Sequence, residues 1–164
     1  MNELTPFQRE FRQAMSSRTS AVNIITTAGD HGRLGLTVTA ACSVTDEPPT
    51  VLVCVNRKSA TRDIFVKNGR MGLNILAGEQ EELARHFSGQ TNVPMAERFE
   101  WDLWEDLSGV PVLRDARVAL AGRVANSVEQ GTHTVLFLEV EGIRMRDDAA
   151  GLVYDRRNFH LVGA

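Results

Sequence analysis

Hydrophobic and polar positions change period several times along this chain, and each change marks an element. Phe7, Phe11, Ala14 and Met15 recur at helical spacing behind Thr5-Pro6, an N-cap followed by proline at the first helical position. A short amphipathic helix from Thr5 to about Ser16 is therefore predicted, covering one end of the core. Ala21 to Thr27 reads as a strand, and Ala28-Gly-Asp-His-Gly32 as a hairpin turn. Gly35 to Thr45 follows as a strand rich in hydroxyl groups, in which Thr37, Thr39 and Ser43 share one parity if the strand is regular. After Pro48-Pro49, Thr50 to Val55 is apolar on both parities, the pattern of a central strand covered on two sides.

Asn56, Arg57 and Lys58 leave that strand, and Ser59 is a good N-cap for a helix from Ala60 to about Lys67, stopped by Asn68-Gly69. A row of hydroxyls, a basic loop and free N–H groups at a helix start suit an anionic, partly aromatic ligand. Neither the Walker nor the dinucleotide glycine spacing occurs. Further on, Met71 to Leu76 reads as a strand, and Glu79 to Phe87 as a helix with acids first and Arg85 and His86 last. Ser88 to about Leu113, which holds Trp101 and Trp104, reads as a long irregular excursion over the surface. Arg117 to Val128 and Thr132 to Arg146 read as long strands. The apolar parity shifts from Leu136, Leu138 and Val140 to Ile143 and Met145, which places a bulge at Gly142. Leu152 to Tyr154 and Phe159 to Leu161 complete the strands. Many strands, few short helices and no regular alternation between them predict a mostly β, antiparallel barrel.

Composition narrows the function classes. A chain of 164 residues is most simply one domain, 1–164, and 43% hydrophobic with 24% charged residues is ordinary for a globular protein. A net charge of -3 gives no footprint for nucleic acid or an anionic membrane, no apolar run reaches membrane-span length, and the start is polar; a cytoplasmic protein is expected. Cys42 and Cys54 sit in apolar, strand-like surroundings as small buried hydrophobes. They lack zinc spacing, and a disulfide between them requires that their strands pair. His86, His133 and His160 lack metal-ligand spacing, no nucleophile elbow is present, and Glu97, Glu100, Asp102, Glu105 and Asp106 are spread like a solvated face. A second constellation joins Gly131-Thr-His133 to Tyr154, Arg156 and Arg157: His133 can orient a cofactor by a hydrogen bond, and the arginines can take carboxamide or phosphate oxygens.

The segments Phe11-Arg-Gln-Ala-Met15, Ala21 to Thr27, Cys42 to Thr50, Val53-Cys-Val-Asn56, Ala84-Arg-His-Phe-Ser-Gly89, Glu97-Arg-Phe99, Gly131-Thr-His133 and Gly151-Leu-Val-Tyr154 run in register with one family. The chain resembles the short-chain flavin reductases of two-component monooxygenases, closest to the 4-hydroxyphenylacetate 3-monooxygenase branch, with a relative in pyrimidine degradation. That resemblance implies a split β-barrel of the Greek-key, FMN-binding type, a homodimer that reduces FAD or FMN with NADH or NADPH and releases it to a separate monooxygenase component. It implies that Thr37, Val38, Thr39, Ala40, Ala41 and Cys42 line the isoalloxazine and ribityl chain. Asn56, Arg57, Lys58, Ser59 and Ala60 would hold the polar tail, with Phe87, Ser88 and Gly89 bordering the pocket. His133 falls where the family ties a Gly-Asp-His segment to nicotinamide, so Thr132 is a mild departure. Asp155 is a sharper one, standing where relatives carry an aromatic residue. A rival reading is a non-catalytic flavin-binding or flavin-sensing module on the same barrel. An oxidase of the pyridoxamine-phosphate type calls for more cations than Arg57, Lys58 and Arg62.

Overall fold

The computed structural model of the chain describes residues 3–57 and 61–163, so the expectations placed on Lys58, Ser59 and Ala60 fall outside the described residues. Elements are numbered in chain order. Seven strands form one antiparallel sheet in the spatial order β3 (Leu34–Val38), β2 (Asn23–Thr27), β6 (Arg70–Ile75), β9 (Val118–Gln130), β10 (His133–Met145), β5 (Pro49–Asn56) and β4 (Ala41–Asp46). Its two edges, β3 and β4, are neighbours in sequence, separated by Thr39 and Ala40 alone. Chain continuity therefore curls the sheet onto itself, and the Ala40 carbonyl accepts the Cys54 N–H at 2.9 Å to tie the crossing to β5. This is the antiparallel architecture that the strand pattern predicts, in the split-barrel class that the resemblance implies. The expected unbroken strand from Gly35 to Thr45 is instead cut at Thr39–Ala40, because one continuous strand cannot serve both edges.

Barrel curvature also decides burial. Val53, Val55, Leu136 and Leu138 face the interior and are buried with Ile25, Phe65 and Met71. On the other parity of β5 and β10, Leu52, Cys54, Val135 and Phe137 are only half-buried. The strand at Thr50 to Val55 is thus covered on one side, not two, since no element among the described residues packs on the barrel's outer face there. The bulge expected at Gly142 is present as a register shift between Val140 and Gly142. Opposite it lies Gly122, where any Cβ would run into the Glu139 carbonyl, so the close approach of β9 and β10 requires glycine.

A smaller sheet, β1 (Ser20–Ala21), β11 (Gly151–Asp155) and β12 (Asn158–Val162), closes one end. Fully buried Val22 carries the chain from β1 to β2, its N–H donating to the Leu152 carbonyl at 3.0 Å. Helix α1 (Pro6–Ser16) has the predicted cap: Thr5 Oγ1 accepts the Gln8 N–H at 3.2 Å, and Gln8 Oε1 accepts the Thr5 N–H at 2.9 Å. It does not cover the core, whose end the small sheet already fills. None of its residues is buried, and Phe7, Phe11 and Met15 are 77%, 58% and 49% exposed.

Helix α2 (Arg62–Asn68) begins later than the sequence pattern suggests and ends at Gly69, which takes φ 68°. Helix α3 (Glu81–Phe87) follows a 3-10 turn at Gly78–Gln80. The segment from Ser88 to Leu113 is not an irregular surface excursion. It folds into α4 (Met95–Arg98) and a hairpin of β7 (Trp104–Leu107) and β8 (Val110–Leu113), turning at Ser108-Gly109. Phe99, Val110, Val112 and Leu113 are buried, and Trp104 stacks on Phe99 at 4.7 Å while its Nε1–H donates to the Arg98 carbonyl at 2.8 Å. No helix among the described residues is long and apolar enough to cross a membrane.

Candidate functional site

Where β3 gives way to β4, a pocket of about 290 Å³ opens between three strands. Leu36 to Ala40 line one side, Cys54, Val55 and Asn56 the other, and His133 stands at its rim. Register explains the assembly: His133 is the residue of β10 paired with Asn56 of β5, and Cys54 lies beside Ala40 through the hydrogen bond at the crossing. Six of the residues singled out in the sequence, Thr37, Val38, Thr39, Ala40, Asn56 and His133, thus meet in one place. Leu36, Cys54 and Val55 join them as apolar wall.

The polar groups are not all free. Thr37 donates its hydroxyl to the Ala84 carbonyl at 2.7 Å, tying β3 to α3, so the expected row of donors with Thr39 and Ser43 does not form. Thr39 Oγ1 has no partner among the described residues. At the rim, His133 Nδ1 lies 2.9 Å from Thr132 Oγ1, which leaves the Nε2 edge as the ring's other polar face. Arg57 is spent on structure: its guanidinium lies 3.0 Å from Glu129 and donates to the Gly131 carbonyl at 3.3 Å, while its N–H donates to the Thr132 carbonyl at 2.9 Å. Glu129 also takes Arg62 at 2.7 Å. One carboxylate so holds both Arg57 and Arg62, the described cations at the end of β5 and the start of α2.

Cys42 and Cys54 are free thiols, and Cys42 is exposed rather than buried because β4 is an edge strand. Burial, and secondarily the neighbouring Cys42, push the Cys54 thiol up, so it is a neutral apolar wall and not a nucleophile. Ala41 and Cys42 begin β4 just beyond the pocket. Phe87 lies in the core, edge-on to Phe99 and Trp104 at 5.8 and 5.7 Å, and supports β3 from behind: a Cβ on Gly35 would sit 2.8 Å from its ring. Ser88 donates to the Arg85 carbonyl at 3.0 Å and Gly89 takes φ 80° as α3 ends. Tyr154 packs on Phe159 at 5.0 Å, and Arg156 and Arg157 form the β11–β12 turn at φ 45° and 66°. None of these residues lines the pocket within one chain. Asp155 accepts the Thr19 hydroxyl at 2.8 Å, a tie between the small sheet and the start of β1 in place of a stacking ring. Among the described residues no three His, Cys, Asp or Glu side chains gather as metal ligands.

The family model described as "Flavin reductase like domain" matches residues 15–163. The 4-hydroxyphenylacetate 3-monooxygenase reductase component of Pseudomonas aeruginosa is 51% identical over 163 residues, covering 99% of this chain and 96% of its own. The FMN reductase (NADH) RutF of Stutzerimonas stutzeri is 46% identical over 154 residues, covering 93% and 87%. Among solved structures, a candidate flavin reductase from Haemophilus somnus 129PT superposes with a TM-score of 0.88 at 37% identity, over 94% of this chain and 98% of that one.

Proposed function

The chain belongs to the flavin reductase family, and on that premise we propose that the pocket between β3, β5 and His133 is where flavin and reduced nicotinamide meet. The protein is a flavin oxidoreductase, the reductase component of a two-component monooxygenase. The observation that carries the siting is the convergence of Thr39, Asn56 and His133, remote in sequence, on one partly apolar cavity. Its walls fit the group. An isoalloxazine is flat and apolar with a polar rim, and the pocket supplies Leu36 and Cys54 as surface and the Thr39 hydroxyl, which has no partner among the described residues, as a donor.

Flavin held here would supply the redox chemistry, as the acceptor of hydride from the reduced nicotinamide. The chain's own task is placement. Leu36 and the neutral Cys54 would shield the ring from water, and Thr39 would fix its polar edge. Arg57 and Glu129 hold the β9–β10 turn, so that Thr132 and His133 meet the nicotinamide from a fixed position. A volume of about 290 Å³ lies at the small end for organic ligands, which suits one ring system with the other laid over it from the open side. Flavin then dissociates readily, as a product bound for a separate oxygenase must.

Finer points belong to the same proposal. The chain works as a homodimer in the cytoplasm, where two free cysteines persist. By the names of its relatives, the donor is NADH and the oxygenase served hydroxylates a phenol of the 4-hydroxyphenylacetate kind. Steady-state oxidation of NADH and NADPH with FAD and with FMN tests the reading. Flavin bound without turnover would favour the sensing module instead.

A further inference from the structure

A second cavity, of about 480 Å³, opens beside α3 and shares no lining residue with the pocket described above. Its apolar surface is built from Leu83 and His86, neighbours on one face of α3, and from Trp101 and Leu103, which lead the chain into β7. The His86 and Trp101 rings lie 4.9 Å apart and are tilted by 59°, so they form two sides of a corner instead of closing on each other as a stack. All four side chains are only partly buried, and the corner is open. His86 is held in place by its Nδ1, 2.7 Å from Thr91 Oγ1.

Charge and hydrogen bonding on the walls narrow what fits. Glu79, Glu82 and Asp115 face one guanidinium, that of Arg146, which leaves an excess of negative charge with His86 counted as neutral. Arg146 is already oversupplied: it bonds Glu79, and Asp148 and Asp115 lie 3.4 and 4.0 Å from it. Glu82 has only the His86 ring, at 3.8 Å, as a neighbour of basic type among the described residues. A cation is therefore favoured here and an anion repelled. Gln80 adds an independent sign of a ligand. It lines the cavity and is 6% exposed, and its Oε1 accepts the Ala77 N–H at 2.9 Å, yet its amide N–H groups have no partner among the described residues. A buried donor left unmet is costly, and an acceptor oxygen in the cavity would satisfy it.

We propose that this cavity binds a phenolic arylalkylamine, with the ring in the His86–Trp101 corner, the ammonium against Glu82 and Asp115, and the phenol oxygen accepting from Gln80. The volume falls within the range of small-molecule sites. The site goes beyond the flavin reductase reading and does not rest on it. Its ligand is opposite in charge to 4-hydroxyphenylacetate, the compound in the name of the Pseudomonas aeruginosa relative.

Titration calorimetry on the full chain tests it with tyramine and 4-hydroxyphenylacetate, which share a phenol and differ in the sign of the side-chain charge. Tyramine is expected to bind one per chain with a sub-millimolar Kd, and the acid at least about tenfold more weakly. Glu82→Gln combined with Asp115→Asn, both exposed, should weaken tyramine about fivefold. Trp101→Ala should do so by a similar factor, with the fold of each variant checked by circular dichroism. Saturating FMN should leave tyramine affinity unchanged, because the two cavities have no residue in common. Absence of saturable tyramine binding, equal or tighter binding of the acid, wild-type affinity in a folded variant, or competition by FMN would overturn the site. Turnover enters none of these readouts, so failure of this site and failure of the flavin reductase reading show up separately.

Discussion

Glu129 lies 3.0 Å from Arg57, and through that pair the turn that delivers His133 is anchored to the end of β5. A cation placed by sequence beside a ligand phosphate is thereby a brace for the nicotinamide side. Replacing Glu129 with Gln is expected to raise KM for the nicotinamide nucleotide about 3- to 10-fold while flavin affinity stays within twofold. Both side chains are about half exposed, so stability should change by no more than about 1 kcal/mol. Steady-state kinetics beside a thermal melt separates the two effects.

Thr39 offers the pocket a hydroxyl that has no partner among the described residues. Thr39→Val keeps its shape and removes one hydrogen bond worth about 1 kcal/mol, so flavin should bind about fivefold more weakly with the melt unchanged. Titration of flavin fluorescence measures it.

His133 stands at the rim, not in the wall. His133→Ala should weaken use of the nicotinamide nucleotide and leave flavin affinity within twofold. Equal loss of both would move the nicotinamide away from this residue.

Phe87 is a core residue behind β3. Phe87→Ala should cost about 3–5 kcal/mol in denaturant unfolding, far more than any polar pocket substitution. A stability loss below about 1 kcal/mol, with flavin binding abolished, would return Phe87 to the ligand's side.

Cys42 and Cys54 should differ in reactivity. Burial raises the Cys54 pKa, so at mildly alkaline pH less of it is thiolate, and alkylation at Cys54 should lag Cys42 and catch up only as pH rises. Bound flavin should slow Cys54 further. Mass spectrometry of timed alkylation, with and without flavin, reads both.

What the sequence disclosed follows from local physics. Strict alternation gave away the long β9–β10 pair, and the parity change after Val140 revealed its bulge, because a strand's period is two. Thr5-Pro6 announced α1 together with its cap. The break at Thr39–Ala40 carries no glycine or proline, being imposed by closure of the sheet, so parity alone extended the strand through it. Periodicity found the stripe of α1 but says nothing of what covers it. Nor can spacing reveal that Arg57 and Arg62 share Glu129, a partner remote along the chain, or that Cys54 comes to lie beside Ala40. The pocket was half legible for that reason: its hydroxyl strand and His133 are local signals, whereas its apolar wall is a product of strand register.

The most direct measurement is oxidation of NADH and NADPH by the purified chain with FAD and with FMN, repeated for Thr39→Val and His133→Ala. Flavin-dependent turnover is predicted, with the first variant impaired toward flavin and the second toward the nicotinamide nucleotide. Absence of flavin-dependent oxidation with all four pairs, or turnover that neither substitution alters, would contradict the pocket as the place where the two rings meet.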